Sequence, residues 1–157
     1  LLVVISGNHD AFTGQLAGVD VVARLSETRR FCYAPASARV DITVGGVLYD
    51  FSIRHQYRYN SNFNMDHTVK RLYDMGDEPF SIGIIGHHHE CCISAFQRHQ
   101  VTRWAARPGS YQRSSPYTRQ YGFNDAYPTC PSFILFPETR RILGFADLND
   151  GLWAFRR

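Results

Sequence analysis

Three short segments of the sequence carry side chains that commonly bind metal ions, and each follows an apolar run typical of a strand. The candidate ligands in these segments are Asn8, His9, Asp10, His55, His87 and His89. Because open sheets bind ligands where their strands end, we expect these side chains to lie close together. Imidazole nitrogens suit zinc, iron, nickel and copper, and added amide or carboxylate oxygens shift the preference toward manganese. The segments therefore predict a metal site at strand ends.

The third segment has a spacing that supports this interpretation. His87 and His89 are two residues apart, so in an extended segment they face the same side while His88 faces away. Each segment also has a structural interpretation: His55 as a hydrogen-bonded residue at a strand end, and residues 7–10 as a turn. The three segments together, in this order, favour the metal site.

The apolar patterns predict the elements that position these segments. We expect strands at residues 1–5, 80–85, 101–106, 132–136 and 141–146, a hairpin within 41–52, and helices at 15–25 and 64–75. Gly45 and Gly46 supply the turn of the first hairpin, residues 137–139 supply that of a second, and Asn64 is the expected N-cap of the second helix. Strands with intervening helices, followed by hairpins, predict an α/β or α+β fold.

Length and composition exclude several classes of protein. The chain has 157 residues, 44% hydrophobic and 20% charged, which fits one globular domain and excludes a disordered or fibrous chain. No apolar run approaches the roughly 20 residues of a membrane-spanning helix, and residues 1–5 are too short for a secretion signal. The four cysteines match no disulfide framework, so we expect reduced thiols in a cytoplasmic protein without membrane contact.

The basic residues suggest a phosphorylated partner, but more weakly than the three segments suggest a metal site. Lys70 is the only lysine among 17 basic residues, and arginine binds phosphate oxygens in a planar fork, although codon bias explains the excess equally well. Arginines also alternate with aromatic residues over 103–123, a composition found in grooves that bind single-stranded nucleic acid. The alternative is a loop whose aromatic residues pack on the edge of the fold.

Two further groups of residues have open interpretations. His67 is a candidate contact for a substrate phosphate, or a residue with only local hydrogen bonds. A zinc cluster is conceivable, although its spacing matches no zinc knuckle. Its members would be His87, His89, Cys91 and Cys92.

The order and form of the three segments resemble the last three motifs of the calcineurin-like metallophosphoesterases. Residues 6–10 are similar to the family's Gly-Asn-His-Asp/Glu motif, His55 to its lone histidine, and residues 86–89 to its Gly-His-x-His motif. Residues 107–110 resemble the Asn-Pro-Gly-Ser segment that often follows, and residues 54–67 resemble the variant of phage-type members. The resemblance covers about residues 1–146 and implies the C-terminal part of a four-layer αββα sandwich.

The resemblance also implies a role for each candidate residue. Asn8, His55 and His87 look like ligands of the second of two divalent metal ions, and His89 like a ligand of the first. His9 resembles the histidine that stabilises the transferring phosphoryl group and protonates the leaving oxygen, with Asp10 supporting its charge. Two metal ions clamp the phosphate and lower the pKa of a bound water. Manganese is the favoured metal, with iron, zinc and nickel as alternatives.

The sequence departs from the family at its first two motifs. Asp-x-His is absent, and the only Gly-Asp after the start, at residues 76–77, follows His55 and so stands in the wrong order. We therefore expect residues 1–157 to be a single metallophosphoesterase domain that lacks its N-terminal part, binds metal weakly and turns over slowly. The predicted function is hydrolysis of a phosphomonoester or phosphodiester. The alternative is a non-catalytic module that binds nucleic acid or another partner.

Overall fold

A computed structural model of the chain describes residues 2–59, 61, 63–76, 79–111, 120 and 129–157. The strands in these residues are β1 Val3–Ser6, β2 Cys32–Pro35, β3 Ser37–Val44, β4 Val47–Arg54, β5 Ile82–Ile85, β6 Cys92–Arg98, β7 Val101–Arg107, β8 Ser132–Leu135 and β9 Ile142–Phe145. The helices are α1 Asn8–Ala17, α2 Val21–Arg29, α3 His67–Met75 and α4 Leu148–Phe155. The fold is therefore mixed α+β, as the sequence predicts.

The central element is a five-stranded mixed sheet with the strand order β3-β4-β5-β7-β6. β4, β5 and β7 run parallel, and β3 and β6 pair antiparallel at the two edges. The hairpin of β3 and β4 confirms the predicted turn, because Gly45 and Gly46 adopt φ values of 56° and 84° that favour glycine. Two smaller sheets pair β1 with β2 in parallel and β8 with β9 antiparallel.

The two faces of the central sheet are covered by different elements. Because side chains alternate along a strand, Ile82 of β5 faces the β8–β9 hairpin while Ile85 faces α3. On the α3 side Gly83 is required, since a Cβ there would lie 2.6 Å from Val69 Cγ1. On the other side the buried Tyr49 hydroxyl donates a hydrogen bond to the carbonyl of Phe136 at 2.6 Å, which links the hairpin to the sheet.

The outer face of the β8–β9 hairpin carries α4. A Cβ at Gly151 of α4 would lie 2.2 Å from Ser132 Oγ and 3.5 Å from Phe145 Cδ2, so the helix packs closely on this face. The elements are thus stacked in the order α3, five-stranded sheet, β8–β9 hairpin and α4. No helix in the described part of the chain is long and apolar enough to span a membrane.

The prediction of one helix over 15–25 is wrong. α1 ends at Ala17, Gly18 takes a left-handed φ of 69°, and Asp20 begins α2 by accepting a hydrogen bond from the Ala23 N–H. The spacing of the apolar residues suggested one buried face, but the Leu16 side chain is 75% exposed. A glycine followed by a capping aspartate interrupts the helix locally, whatever the apolar period on either side.

The second predicted helix is present but begins later. α3 starts at His67 with Asp66 as its N-cap, whereas Asn64 only contributes its carbonyl, which accepts a hydrogen bond from the His67 N–H at 3.1 Å. The predicted strands and the C-terminal hairpin are confirmed to within two residues at each end.

Candidate metal centre

The junction between β1 and α1 supplies the first part of the site. Gly7 is the N-cap of α1, and Asn8, His9 and Asp10 form the first turn of this helix. Asp10 Oδ2 accepts a hydrogen bond from the Gly7 N–H at 2.7 Å, which closes the turn. A Cβ at Gly7 would lie 2.8 Å from His55 Cε1, so glycine is what allows the imidazole ring to lie against this backbone.

The adjacent ends of β4 and β5 supply the second and third parts. The two strands are parallel, and Arg54 pairs with Ile85 at their last residues. Beyond that pair the Gly86 N–H donates a hydrogen bond to the Arg54 carbonyl at 3.0 Å, so the two segments remain paired past the ends of the strands. His55 directly follows Arg54, and His87 directly follows Gly86. His87 has a φ of 75°, a left-handed conformation that is uncommon outside glycine and often marks a functional position.

These three strand ends bring three ligand atoms together. His55 Nε2 lies 2.8 Å from Asn8 Oδ1 and 3.1 Å from His87 Nδ1. We call the side chains of Asn8, His55 and His87 the three-donor cluster. The rings of the two histidines meet edge to face, with centroids 5.0 Å apart and an angle of 82° between their planes. The predicted convergence of these three residues is therefore present.

The spacing of the three-donor cluster suits a metal ion. Two ligand atoms at about 2.1 Å from one ion lie about 3.0 Å apart in octahedral geometry and about 3.4 Å apart in tetrahedral geometry. The two separations from His55 Nε2, 2.8 and 3.1 Å, lie close to the octahedral value. Without an ion, the single proton that Nε2 can carry would be shared between the Asn8 oxygen and the His87 nitrogen. One amide oxygen and two imidazole nitrogens are a suitable ligand set for manganese or iron.

The electrostatic environment favours neutral imidazoles. Burial lowers the pKa of His55, and the neighbouring His87 lowers it further. Burial also lowers the pKa of His87, followed by the effect of His89. The pKa of His88 falls to about 4, because the ring is desolvated and lies near the Arg107 guanidinium. The neutral imidazole is the form that binds a metal ion.

The other predicted site residues are near the three-donor cluster but do not join it. His9 is exposed and close enough to lower the pKa of His55. The Asp10 carboxylate bonds to the Gly7 backbone, and in the described residues it has no hydrogen bond to His9. His89 is exposed and affects His87 only through charge. Within the described ranges, no group of three His, Cys, Asp or Glu side chains is arranged to hold a metal ion.

Arg107, which lies near His88, is a further candidate residue of the metal centre. The sequence did not identify it as a site residue. It ends β7 with 1% of its surface exposed, and its Nη1 donates hydrogen bonds to the carbonyls of Ser61 at 3.2 Å and Met65 at 3.3 Å. Its Nε and Nη2 have no hydrogen-bond partner in the described chain. An arginine directly before Pro-Gly at a strand end is the only signal that could have marked it.

The alternative ligand set of histidines and cysteines is not assembled in the described residues. Cys91 Sγ instead lies 3.4 Å from the Ala146 carbonyl, and burial raises the pKa of both Cys91 and Cys92. All four cysteines are free thiols, as the sequence predicts. His67 is the first residue of α3 and is half-buried.

The predicted arginine and aromatic groove over 103–123 lies partly outside the described residues, which include only 103–111 and 120 of it. Trp104 packs in the core, with its ring 6.1 Å from that of Phe133. The Arg103 guanidinium lies 5.6 Å from the Tyr73 ring. Arg103 and Trp104 thus belong to β7 and pack against the fold, whereas the Tyr111 side chain is 76% exposed.

No protein-family model matches the chain, and no curated protein matches it at a significant level. The candidate metal centre therefore depends on its own geometry and chemistry.

Proposed function

We propose that the protein is a metal-dependent phosphoesterase of the calcineurin-like type, acting on a phosphomonoester or phosphodiester. The observation that carries this proposal is the three-donor cluster, which unites Asn8, His55 and His87 from three strand ends at separations of 2.8 and 3.1 Å. When bound, divalent metal ions polarise the phosphoryl group and activate water for attack. Manganese is the first choice, with iron, zinc and nickel as alternatives.

The roles of the protein's own residues follow from their positions. The three-donor cluster holds an ion, and Gly7 lets the His55 ring lie against the start of α1. The N-terminus of α1, which carries partial positive charge, lies beside the cluster and favours a bound phosphate. His9 in that first turn is the proposed donor of a proton to the leaving oxygen. The Asp10 carboxylate fixes this first turn by accepting the hydrogen bond from the Gly7 N–H.

The layer order supports the fold that goes with this function. α3, the five-stranded sheet, the β8–β9 hairpin and α4 follow one another as helix, sheet, sheet and helix. We propose that these layers belong to a four-layer αββα sandwich. The three-donor cluster would be one half of its two-metal site, and His89 a ligand of the other half.

Metal binding and hydrolysis in the full-length protein test the proposal. We expect saturable Mn²⁺ binding by calorimetry and Mn²⁺-dependent cleavage of p-nitrophenyl phosphate or bis(p-nitrophenyl) phosphate. The double variant Asn8→Ala/His87→Ala removes two of three ligands and should lose more than about a hundredfold in metal affinity. His99→Ala, an exposed histidine in the turn between β6 and β7, is the matched control and should behave as the wild type. Full activity in the double variant contradicts the proposal.

A non-catalytic binding module is the second candidate. It is favoured by the exposed His89, which affects His87 only through charge and does not join the three-donor cluster. This candidate predicts no hydrolysis of either substrate with any of the four metals, together with salt-dependent DNA binding that a chelator does not change.

A further inference from the structure

Arginine and tyrosine side chains alternate on the surface that begins beside His55. They are Arg54, Tyr57, Arg58, Tyr59 and Arg71, which we call the Arg–Tyr surface. The Tyr57 ring centroid lies 5.5 Å from the Arg54 guanidinium carbon and 5.8 Å from that of Arg58. The Tyr59 ring lies 5.3 Å from both Arg58 and Arg71. The five side chains therefore form one continuous series of cation–π contacts.

The three arginines of this surface form no ion pair in the described residues, although Arg71 lies close enough to Asp74 to lower the pKa of its carboxyl group. Elsewhere in the chain, Arg98 and Arg140 each form an ion pair at 2.7 Å, with Asp74 and Asp50 respectively. Arg71 Nη1 also contacts the Met75 sulfur at 3.8 Å, and Arg58 is exposed. The Arg–Tyr surface thus carries three positive charges, of which only that of Arg71 lies near a carboxylate among the described residues.

The backbone of this surface is held in a strained conformation. Tyr59 has a φ of 66°, which is rare for a bulky side chain, and its side chain is 47% exposed. Tyr57 packs against the core beneath α3. Further along the chain, the Arg107 guanidinium donates hydrogen bonds to the carbonyls of Ser61 and Met65. Residues with such backbone conformations are concentrated at functional sites.

We propose that the Arg–Tyr surface binds single-stranded nucleic acid. Unpaired bases stack on tyrosine rings and guanidinium planes, and arginine N–H groups pair with backbone phosphates. A repeating sequence of phosphates and bases fits alternating arginines and tyrosines, whereas a single phosphate would need only one arginine. Arg54 ends β4 and His55 of the three-donor cluster is the next residue, so the surface and the cluster share this strand end. That the bound nucleic acid is also the substrate rests on the phosphoesterase function proposed above.

Fluorescence anisotropy with a labelled oligothymidylate of about twenty nucleotides tests the binding in the full-length protein, with EDTA present so that metal plays no part. The variant Arg58→Ala/Arg71→Ala should weaken binding by about tenfold and reduce the slope of log affinity against log salt by about 1.4, or about 0.7 for each lost phosphate contact. Tyr59→Ala should weaken binding by about fivefold or more through lost stacking.

A matched control removes the same charge from another layer of the fold. Arg156→Ala/Arg157→Ala also deletes two arginines, one of which lies 3.9 Å from the Trp153 ring of α4. This variant should bind within about twofold of the wild type if the Arg–Tyr surface is responsible. Thermal unfolding of each variant shows that it is folded.

Equal losses in the two double variants, no loss in either, or no binding by the wild type would overturn the proposal. Equal affinity for a duplex of the same length would also overturn it, because paired bases cannot stack on the tyrosines. Failure of the proposed phosphoesterase function can be distinguished from failure of the proposed nucleic-acid binding. In that case bis(p-nitrophenyl) phosphate is not hydrolysed, while oligothymidylate binding and its loss in Arg58→Ala/Arg71→Ala persist.

Discussion

His55 Nε2 lies 3.1 Å from His87 Nδ1, although the two residues are 32 positions apart and follow different strands. The parallel pairing of β4 with β5 aligns Arg54 with Ile85, so each histidine follows the sheet at almost the same height. This contact therefore depends on strand register. A shift of one residue between these strands would turn one ring to the opposite face. Four predictions follow from this arrangement and from the packing that supports it.

Gly7→Ala should weaken Mn²⁺ binding by about tenfold, because the new methyl group would lie 2.8 Å from His55 Cε1 and push the ring away from Asn8. Calorimetry with Mn²⁺ measures the effect. Gly14→Ala on the same helix is the control. Its Cβ meets no atom closer than 3.7 Å, so metal binding should be unchanged and the helix more stable by about 0.5–1 kcal/mol. Equal metal affinity in both variants would contradict the assigned position of His55.

His87→Gly should be more stable than His87→Ala by about 1 kcal/mol, because the backbone at this position has a φ of 75° that disfavours residues with a Cβ. Both variants lose the imidazole, so the comparison isolates the backbone conformation. Urea unfolding in the presence of EDTA gives the two free energies of unfolding. An alanine variant as stable as the glycine variant would show that the left-handed conformation costs nothing.

Asp66 should make stability depend on pH in the acid range. Burial alone would raise the pKa of this carboxyl group, but Lys70 and Ser94, each 2.6 Å away, outweigh it and hold the pKa below its ordinary value. The stabilisation is fully present above the unfolded pKa of about 3.9 and is lost as the pH falls through the lower folded pKa. The stability difference between wild type and Asp66→Asn should therefore shrink as the pH is lowered from 6 toward about 2.

Urea midpoints at several pH values measure this difference. Asp41→Asn is the control, since Asp41 is exposed on β3 and has no ion pair in the described residues. At pH 6 it should lower the urea midpoint less than Asp66→Asn does, because no ion pair is lost. A constant difference for Asp66→Asn across the range would contradict the role given to its carboxylate.

Tyr49→Phe should destabilise the protein by about 1–3 kcal/mol and leave Mn²⁺ affinity unchanged. The buried hydroxyl bonds to the carbonyls of Phe136 at 2.6 Å and Thr139 at 2.7 Å, and these acceptors would lose their buried donor. Thermal or urea unfolding and Mn²⁺ calorimetry of the same sample separate the two effects. A loss of metal binding without a loss of stability would show that the hairpin positions the site in a way the contacts do not indicate.

Local patterns in the sequence were sufficient for several elements. The alternation on either side of Gly45 and Gly46 predicts the β3–β4 hairpin, because both the strand period and the positive φ of the turn are properties of neighbouring residues. The amphipathic period of α3 is equally local. The sequence also identifies Asn8, His55 and His87 as candidate ligands, because residue type and position after an apolar run can be read without knowing how the strands pair.

Relationships between distant residues were decided by the tertiary structure. The separation of His55 from His87 depends on the register of β4 and β5, and the position of Asn8 depends on Gly7 lying against the His55 ring. Burial of Arg107 and the exposure of Tyr59 likewise follow from which loops pack together. Sequence patterns carry residue types and periods, whereas strand pairing and packing determine which of these residues meet, and so which of them can share a metal ion or a strand of nucleic acid.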